Sequence, residues 1–297
     1  MVKVIFLGTS AQIPTARRNH SAILINHGGE NILVDCGEGT QRQFRKAKLN
    51  PCKITKILIT HIHGDHIFGL PGLLSTLNFN DYAKELHIFG PKGIKKFLEG
   101  FLNISGVKRN FNFKVEEVSG KFFESEDFYL ESEKMEHGIN TNAYNFVIKD
   151  KLRIDKDKMN KLKISSGPFL KKLKEGKDVL IKGKKIKSKN LTYLEKGKKV
   201  SIVLDTLYNN KIEKFVKDAN LLICESSFGS DLKDLAKEHL HLTAEQTGKI
   251  AKKAKVDKLL LTHISQRYEN NKKFLLEDAK KNFKDVQIVN DLDIFEI

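Results

Sequence analysis

The chain has 297 residues, of which 40% are hydrophobic, and carries a formal charge of +16 with three cysteines. That is enough apolar material for one large α/β domain or two small ones. No run of eighteen apolar residues occurs, which excludes a helical membrane span, and Cys36, Cys52 and Cys224 form no CxxC pair, so reduced buried thiols are expected. The first eight residues, Met1 to Gly8, read as a strand and tight turn and not as a signal peptide, which points to a cytoplasmic protein with no membrane partner.

In chain order, strands are predicted at residues 2–7, 22–26, 31–35 and 54–60, with turns at His27-Gly28-Gly29 and Gly37-Glu38-Gly39. Gly37-Glu38-Gly39-Thr40 can be a phosphate cradle or simply a tight turn, and a helix can follow over 40–47. The strand at 54–60 ends on Thr60-His61-Ile62-His63-Gly64-Asp65-His66, three imidazoles and a carboxylate in six positions. Alternate residues of an extended segment share a face, so His61 and His63 can reach one ion, while Asp65 and His66, past the turn at Gly64, face a second. Imidazole and carboxylate without thiolate suit zinc, with manganese or iron less well matched.

Pro71 suits the first turn of a helix running through Leu77 behind this loop. Further strands are predicted at 86–89, 112–118, 128–135, 143–149, 200–204, 221–224 and 258–261, and helices at 93–102 and 243–253. Two ions need more ligands than one loop holds, and three isolated candidates stand at or near strand ends. They are His137 before Gly138, Asp205 after the 200–204 run, and His263 after a strand that closes on Thr262-His263 as the earlier one closes on Thr60-His61. Ligands at strand ends in both halves fit a cleft between two sheets flanked by helices.

Between residues 149 and 199 there are 19 Lys plus Arg against 6 Asp plus Glu. Most of the chain's positive excess therefore lies in one sixth of its length. Such a stretch is either the footprint of a polyanion partner or a solvated, poorly ordered insertion.

These residues resemble the metallo-β-lactamase superfamily and, within it, the short-form tRNase Z (RNase Z) family of tRNA 3′ endonucleases. The His61-Ile62-His63-Gly64-Asp65-His66 signature belongs to the superfamily. Typical of the branch are Pro14 to Asn19, Asp35-Cys36-Gly37-Glu38-Gly39-Thr40-Gln41-Arg42-Gln43, Phe68 to Thr76, and Thr262 to Tyr268. The resemblance implies a four-layer αβ/βα sandwich over residues 1–297, with 149–199 as a protruding basic arm inserted in it. It implies two zinc ions per subunit, one on His61, His63 and His137, the other on Asp65, His66 and His263, with Asp205 bridging. It also implies that the arm, through Gly167-Pro168 and neighbours such as Lys171, Lys172 and Lys174, grips precursor tRNA, usually across a homodimer. No organic cofactor is expected.

Chemically, a zinc pair lowers the pKa of water from ~15.7 to near ~7 and stabilises charge on a phosphorane. Asp65 can both bind metal and orient the water proton. The departing 3′ oxygen needs a general acid, for which His241 is the candidate, oriented by Glu225. The family often has His-Glu-Ala-Thr where this chain has Cys224-Glu225-Ser226-Ser227, and His-Ser-Thr where it has His241-Leu242-Thr243. Arg17, Arg18 and Arg42 are candidates for the acceptor-stem backbone or plain surface groups. Phe68 and Phe79 are candidates for base stacking or core, and His239 is expected at the surface without a role. Two other functions compete: a small-molecule hydrolase acting on a lactam, thioester or simple phosphodiester, and a non-catalytic RNA-binding protein. Neither explains both the basic stretch and a complete set of costly buried ligands.

Overall fold

The computed structural model describes residues 1–105, 110–181 and 183–297; Lys182 of the basic stretch lies outside them. The chain divides into two compact units, one of residues 1–124, 130–146 and 199–297, the other of 125–129 and 147–198.

The first unit is built on two seven-stranded sheets. One runs in the order Ile294–Glu296, Lys3–Gly8, Ala22–His27, Glu30–Val34, Lys56–Leu58, Leu86–Gly90 and Phe113–Glu117. Its chain-early half is antiparallel, and from Glu30–Val34 onward it is parallel. The other runs Val286–Ile288, Leu259–Thr262, Leu221–Glu225, Lys199–Val203, Ile139–Ile148, Phe128–His137 and Gly120–Glu124. Alternation sets the layers. In Lys3–Gly8, Ile5 and Leu7 join a cluster with Leu70, Leu73 and Leu74 of the helix Leu70–Phe79, while Val4 and Phe6 are buried on the opposite face. The second sheet is covered likewise by Ile212, Ile250, Ala251 and Leu275 of three helices. Phe89 and Phe122 meet between the sheets with ring centroids 4.9 Å apart, and Tyr144 donates its hydroxyl proton to the Ile59 carbonyl at 2.7 Å. The result is helix, sheet, sheet, helix, the α/β sandwich expected from the sequence.

Several predicted elements shift. The strand expected over 54–60 covers only Lys56–Leu58, preceded by a 3₁₀ turn at Pro51–Lys53. That leaves Ile59 to His63 as irregular backbone free to aim its side chains. The helix expected at 93–102 runs Ile94–Ser105.

The second unit has its own small core, with Met159, Leu173, Val179 and Leu191 buried and Ile154, Phe169 and Leu170 packed against them. Two antiparallel pairs, Lys151–Ile154 with Thr192–Glu195 and Val179–Ile181 with Lys184–Ile186, frame it. The described residues of the basic stretch thus form a folded unit with its own core, and not a poorly ordered insertion. Arg153–Glu195, Lys177–Glu175 and Lys196–Asp150 are surface ion pairs, of small energetic weight.

Candidate metal centre and its surroundings

The ligand candidates come together at the ends of strands from both sheets. His61, His63 and His137 offer nitrogens that all lie within 4.8 Å of one another, and Asp65, His66, Asp205 and His263 do the same. Asp205 Oδ2 is 3.6 Å from His61 Nε2, 3.5 Å from His137 Nε2 and 3.4 Å from His66 Nε2, while its Oδ1 is 3.2 Å from His263 Nε2. One carboxylate therefore faces both groups. Asp65 Oδ2 lies 3.2 Å from His66 Nε2 and 3.3 Å from His263 Nε2.

A second set of partners fixes the tautomers. Thr60 Oγ1 donates to Asp35 Oδ2 and so accepts from His61 Nδ1 at 3.0 Å. His66 Nδ1 donates to the same Asp35 oxygen at 2.7 Å, His137 Nδ1 to the Leu240 carbonyl at 3.1 Å, and His263 Nδ1 to Ser227 Oγ at 2.8 Å. Four rings thereby turn Nε2 lone pairs inward, and His63 turns Nδ1, 3.0 Å from His61 Nε2 and 3.2 Å from His137 Nε2. Lone pairs converging at such distances, with Asp205 Oδ1 buried and given no hydrogen bond among the described residues, fit divalent cations and nothing neutral.

The field agrees. Burial pushes His61 and His63 below the ordinary imidazole value, which favours the neutral form that metal ligation requires. Burial opposes charge on His66 too, but Asp65, Asp205 and Asp35 outweigh it and raise its pKa. These carboxylates demand positive charge at that point, which a divalent ion supplies. Burial also opposes ionisation of Asp65, yet His66 and His263 hold it well below the usual carboxylate range.

Local backbone serves this geometry at a cost. Asp35, Asp205 and His263 sit at φ of 58°, 43° and 55°, in the left-handed region. Each such residue costs on the order of 1–3 kcal/mol and turns its side chain sharply out of the strand toward the cluster. Behind the loop the chain packs too closely for a side chain: a Cβ on Gly37 would lie 2.2 Å from the Asp65 carbonyl, and one on Gly69 would lie 2.0 Å from that of Gly37. Gly37-Glu38-Gly39 is thus the turn that props the metal loop.

Beside the centre, His241 Nδ1 donates to Glu225, 2.9 Å from Oε2 and 3.1 Å from Oε1. Glu225 is fully buried and also accepts from the Thr206 amide at 2.7 Å and the Ser227 hydroxyl at 2.7 Å. Burial works against an imidazolium here, but Glu225 and Asp205 prevail and His241 is pushed up to about 9. Ser227, where the resembling family often has Thr, thus ties the His263 ring to the carboxylate that holds His241. Cys224, at the position of the family's His, is buried in the apolar cluster under the helix Ala244–Ala254.

Asp35, Ser227 and the Leu240 carbonyl received no role from sequence reasoning. Asp35 and Ser227 both carried a signal, Asp35 heading the Asp35-to-Gln43 motif at a strand end and Ser227 closing Cys224-Glu225-Ser226-Ser227. Arg18 requires a correction. Expected at the RNA backbone or the surface, its side chain is buried, donating to the Val289 carbonyl at 2.7 Å and to Asn290 Oδ1 at 3.0 Å, with Glu269 at 3.4 Å. Its Nη1 also donates to Thr9 Oγ1 at 2.6 Å, closing the loop between the two residues. Arg17 and Arg42 are exposed, as are Pro168, Lys171, Lys172 and Lys174, while Gly167 is half-buried just before the helix Phe169–Lys174. Phe68 and Phe79, 55% and 87% exposed, are not core.

If these donors hold divalent ions, chelation should destabilise the protein. A ligand at a thousandfold over its Kd contributes about 4 kcal/mol, so melting with and without added zinc should differ clearly. Identical melting curves would count against metal binding.

A helix–sheet–sheet–helix sandwich carrying clustered His and Asp donors at the strand ends defines a metallo-β-lactamase-fold hydrolase with a divalent-metal site. Over residues 2–175 the chain fits the family described as anti-Pycsar protein Apyc1. It is 40% identical to ribonuclease Z of Nanoarchaeum equitans over 99% of this chain and 92% of that protein, and 38% identical to ribonuclease Z of Oceanobacillus iheyensis over the whole of both. Among solved structures it superimposes on human tRNase Z, short form, with a TM-score of 0.72 at 27% identity over 99% of each chain. YhfI from Bacillus subtilis, at 20% identity and a TM-score of 0.73, shares the fold. The chain belongs to the ribonuclease Z family, and is accordingly a phosphodiester hydrolase of the endoribonuclease class.

Proposed function

We propose that this chain, acting in the cytoplasm as a homodimer, removes the 3′ trailer of precursor tRNA with two zinc ions per subunit, leaving a 3′ hydroxyl on the tRNA and a 5′ phosphate on the trailer. The observation that carries this is the position of Asp205 between two donor groups, with the His241 ring held by Glu225 alongside. His61, His63 and His137 would hold one ion, Asp65, His66 and His263 the other; manganese could replace zinc with the same donors. Bound there, the ions supply a nucleophile from water at neutral pH and stabilise phosphorane charge. Asp65 orients the attacking water's proton. His241, its Nδ1 committed to Glu225, donates from Nε2 to the departing 3′ oxygen.

The folded basic unit would serve as the tRNA grip. Lys171, Lys172 and Lys174, exposed on the helix that follows Gly167-Pro168, would pair with phosphates, and Arg17 and Arg42 would contact the acceptor stem. A small substrate gives no reason for that charge. Deleting residues 151–189 should weaken precursor cleavage severely while hydrolysis of a small chromogenic phosphodiester largely persists. Equal loss of both would remove the grip from the proposal.

A further inference from the structure

The pocket over the metal centre, about 290 Å³ in volume, has a wall that bond cleavage does not use. Phe228 is buried there, and two exposed planar groups lie against it. The His239 ring runs parallel to it, 2° apart in plane with centroids 6.3 Å apart, and the Arg267 guanidinium carbon stands 5.7 Å from its centroid. His241 is adjacent, its ring centroid 5.9 Å from that of Phe228. The loops carrying this group are tied together. The Gly229 amide donates to Tyr268 Oη at 3.0 Å, and the Tyr268 hydroxyl donates to Asp231 at 2.9 Å.

We propose that His239 and Arg267, backed by Phe228, form a platform for the base of the nucleotide whose 3′ oxygen departs. The inference rests on the endoribonuclease reading and adds a specificity subsite to it. With the scissile phosphate at the ligand cluster, the oxygen that accepts a proton from His241 must lie on the His241 side. Its own ribose and base then continue past that ring, toward His239, Phe228 and Arg267. Imidazole and guanidinium planes stack on any base, so the contact grips the nucleotide without dictating its identity. A fixed platform at that point also sets the register of the cut, because it holds the last retained nucleotide while the phosphate meets the metals.

The test compares two precursor tRNAs cut by zinc-loaded enzyme, one natural and one abasic at the last nucleotide before the cut. Stacking of a base is worth roughly 5- to 150-fold, so wild type should favour the natural substrate by about tenfold or more in kcat/KM. His239→Ala and Arg267→Met should each lose part of that preference, and the double variant nearly all of it. His239→Phe, which keeps a planar ring, should retain it, which a merely structural role for the position would not require. A wild type indifferent to the missing base, or alanine and methionine variants with the full preference, overturns the platform while leaving the endonuclease reading intact. No cut by wild type on either substrate brings down that reading and the platform together.

Discussion

Alanine at His241 should slow cleavage of precursor tRNA by about 10²–10⁴-fold, the usual worth of a general acid, and slow a p-nitrophenyl phosphodiester far less. The two substrates differ in their leaving groups. A ribose 3′ oxygen departs poorly unless protonated, whereas a nitrophenolate departs as the anion. The ring suits this role because Glu225 and Asp205 push it up to about 9, so it still carries its proton at neutral pH. Glu225→Gln removes the charge while leaving a group that can accept from Nδ1. It should lower the His241 pKa and move the alkaline limb of kcat/KM to lower pH, with the acid limb unmoved. The same pair bears on folding. An imidazolium raised above its ordinary 6.5 stabilises fully below that pH, and its contribution is lost as pH rises through about 9. Equal losses on both substrates in His241→Ala would mean that the ring holds the site together and does not deliver a proton.

How far such a site can be read from sequence depends on where each residue's partners lie. His61, His63, Asp65 and His66 are legible because strand, turn and ligands are contiguous. His137, Asp205 and His263 are legible because strand ends repeat. The left-handed backbone at Asp205 and His263, which aims both side chains into one cluster, has no signature in sequence, since neither position is glycine. Arg18 misled for a related reason. Its partners Val289 and Asn290 stand more than 270 positions away, so nothing local distinguishes a buried brace from a solvent-exposed cation. His239 is exposed as expected, but only the fold places its ring in the pocket wall beside Phe228. The sandwich's larger strands follow from apolar alternation. Gly120–Glu124 and the three-residue strands Val286–Ile288 and Ile294–Glu296 escape it, being sheet-edge segments held by pairing more than by pattern.

Asp65→Ala should reduce precursor cleavage by roughly 10⁴-fold or more, because in the proposed mechanism one carboxylate serves two functions. It is one of four donors in the second group, within 3.3 Å of both His66 and His263 Nε2, and its loss leaves two imidazoles and the shared Asp205. Metal content should therefore fall at that position first, while His61, His63 and His137 still offer three nitrogens. In the proposed mechanism it also orients the water's proton, and His66 and His263 keep it an anion by holding it well below the usual carboxylate range. The decisive measurement uses an end-labelled precursor and matched zinc content in wild type and variant, with the cut mapped to the nucleotide. Wild type should give a single cut just after the unpaired base that precedes the trailer, and the variant none. If reloading zinc restores the variant, Asp65 is a ligand alone; if a zinc-replete variant stays inactive, its carboxylate also handles the proton.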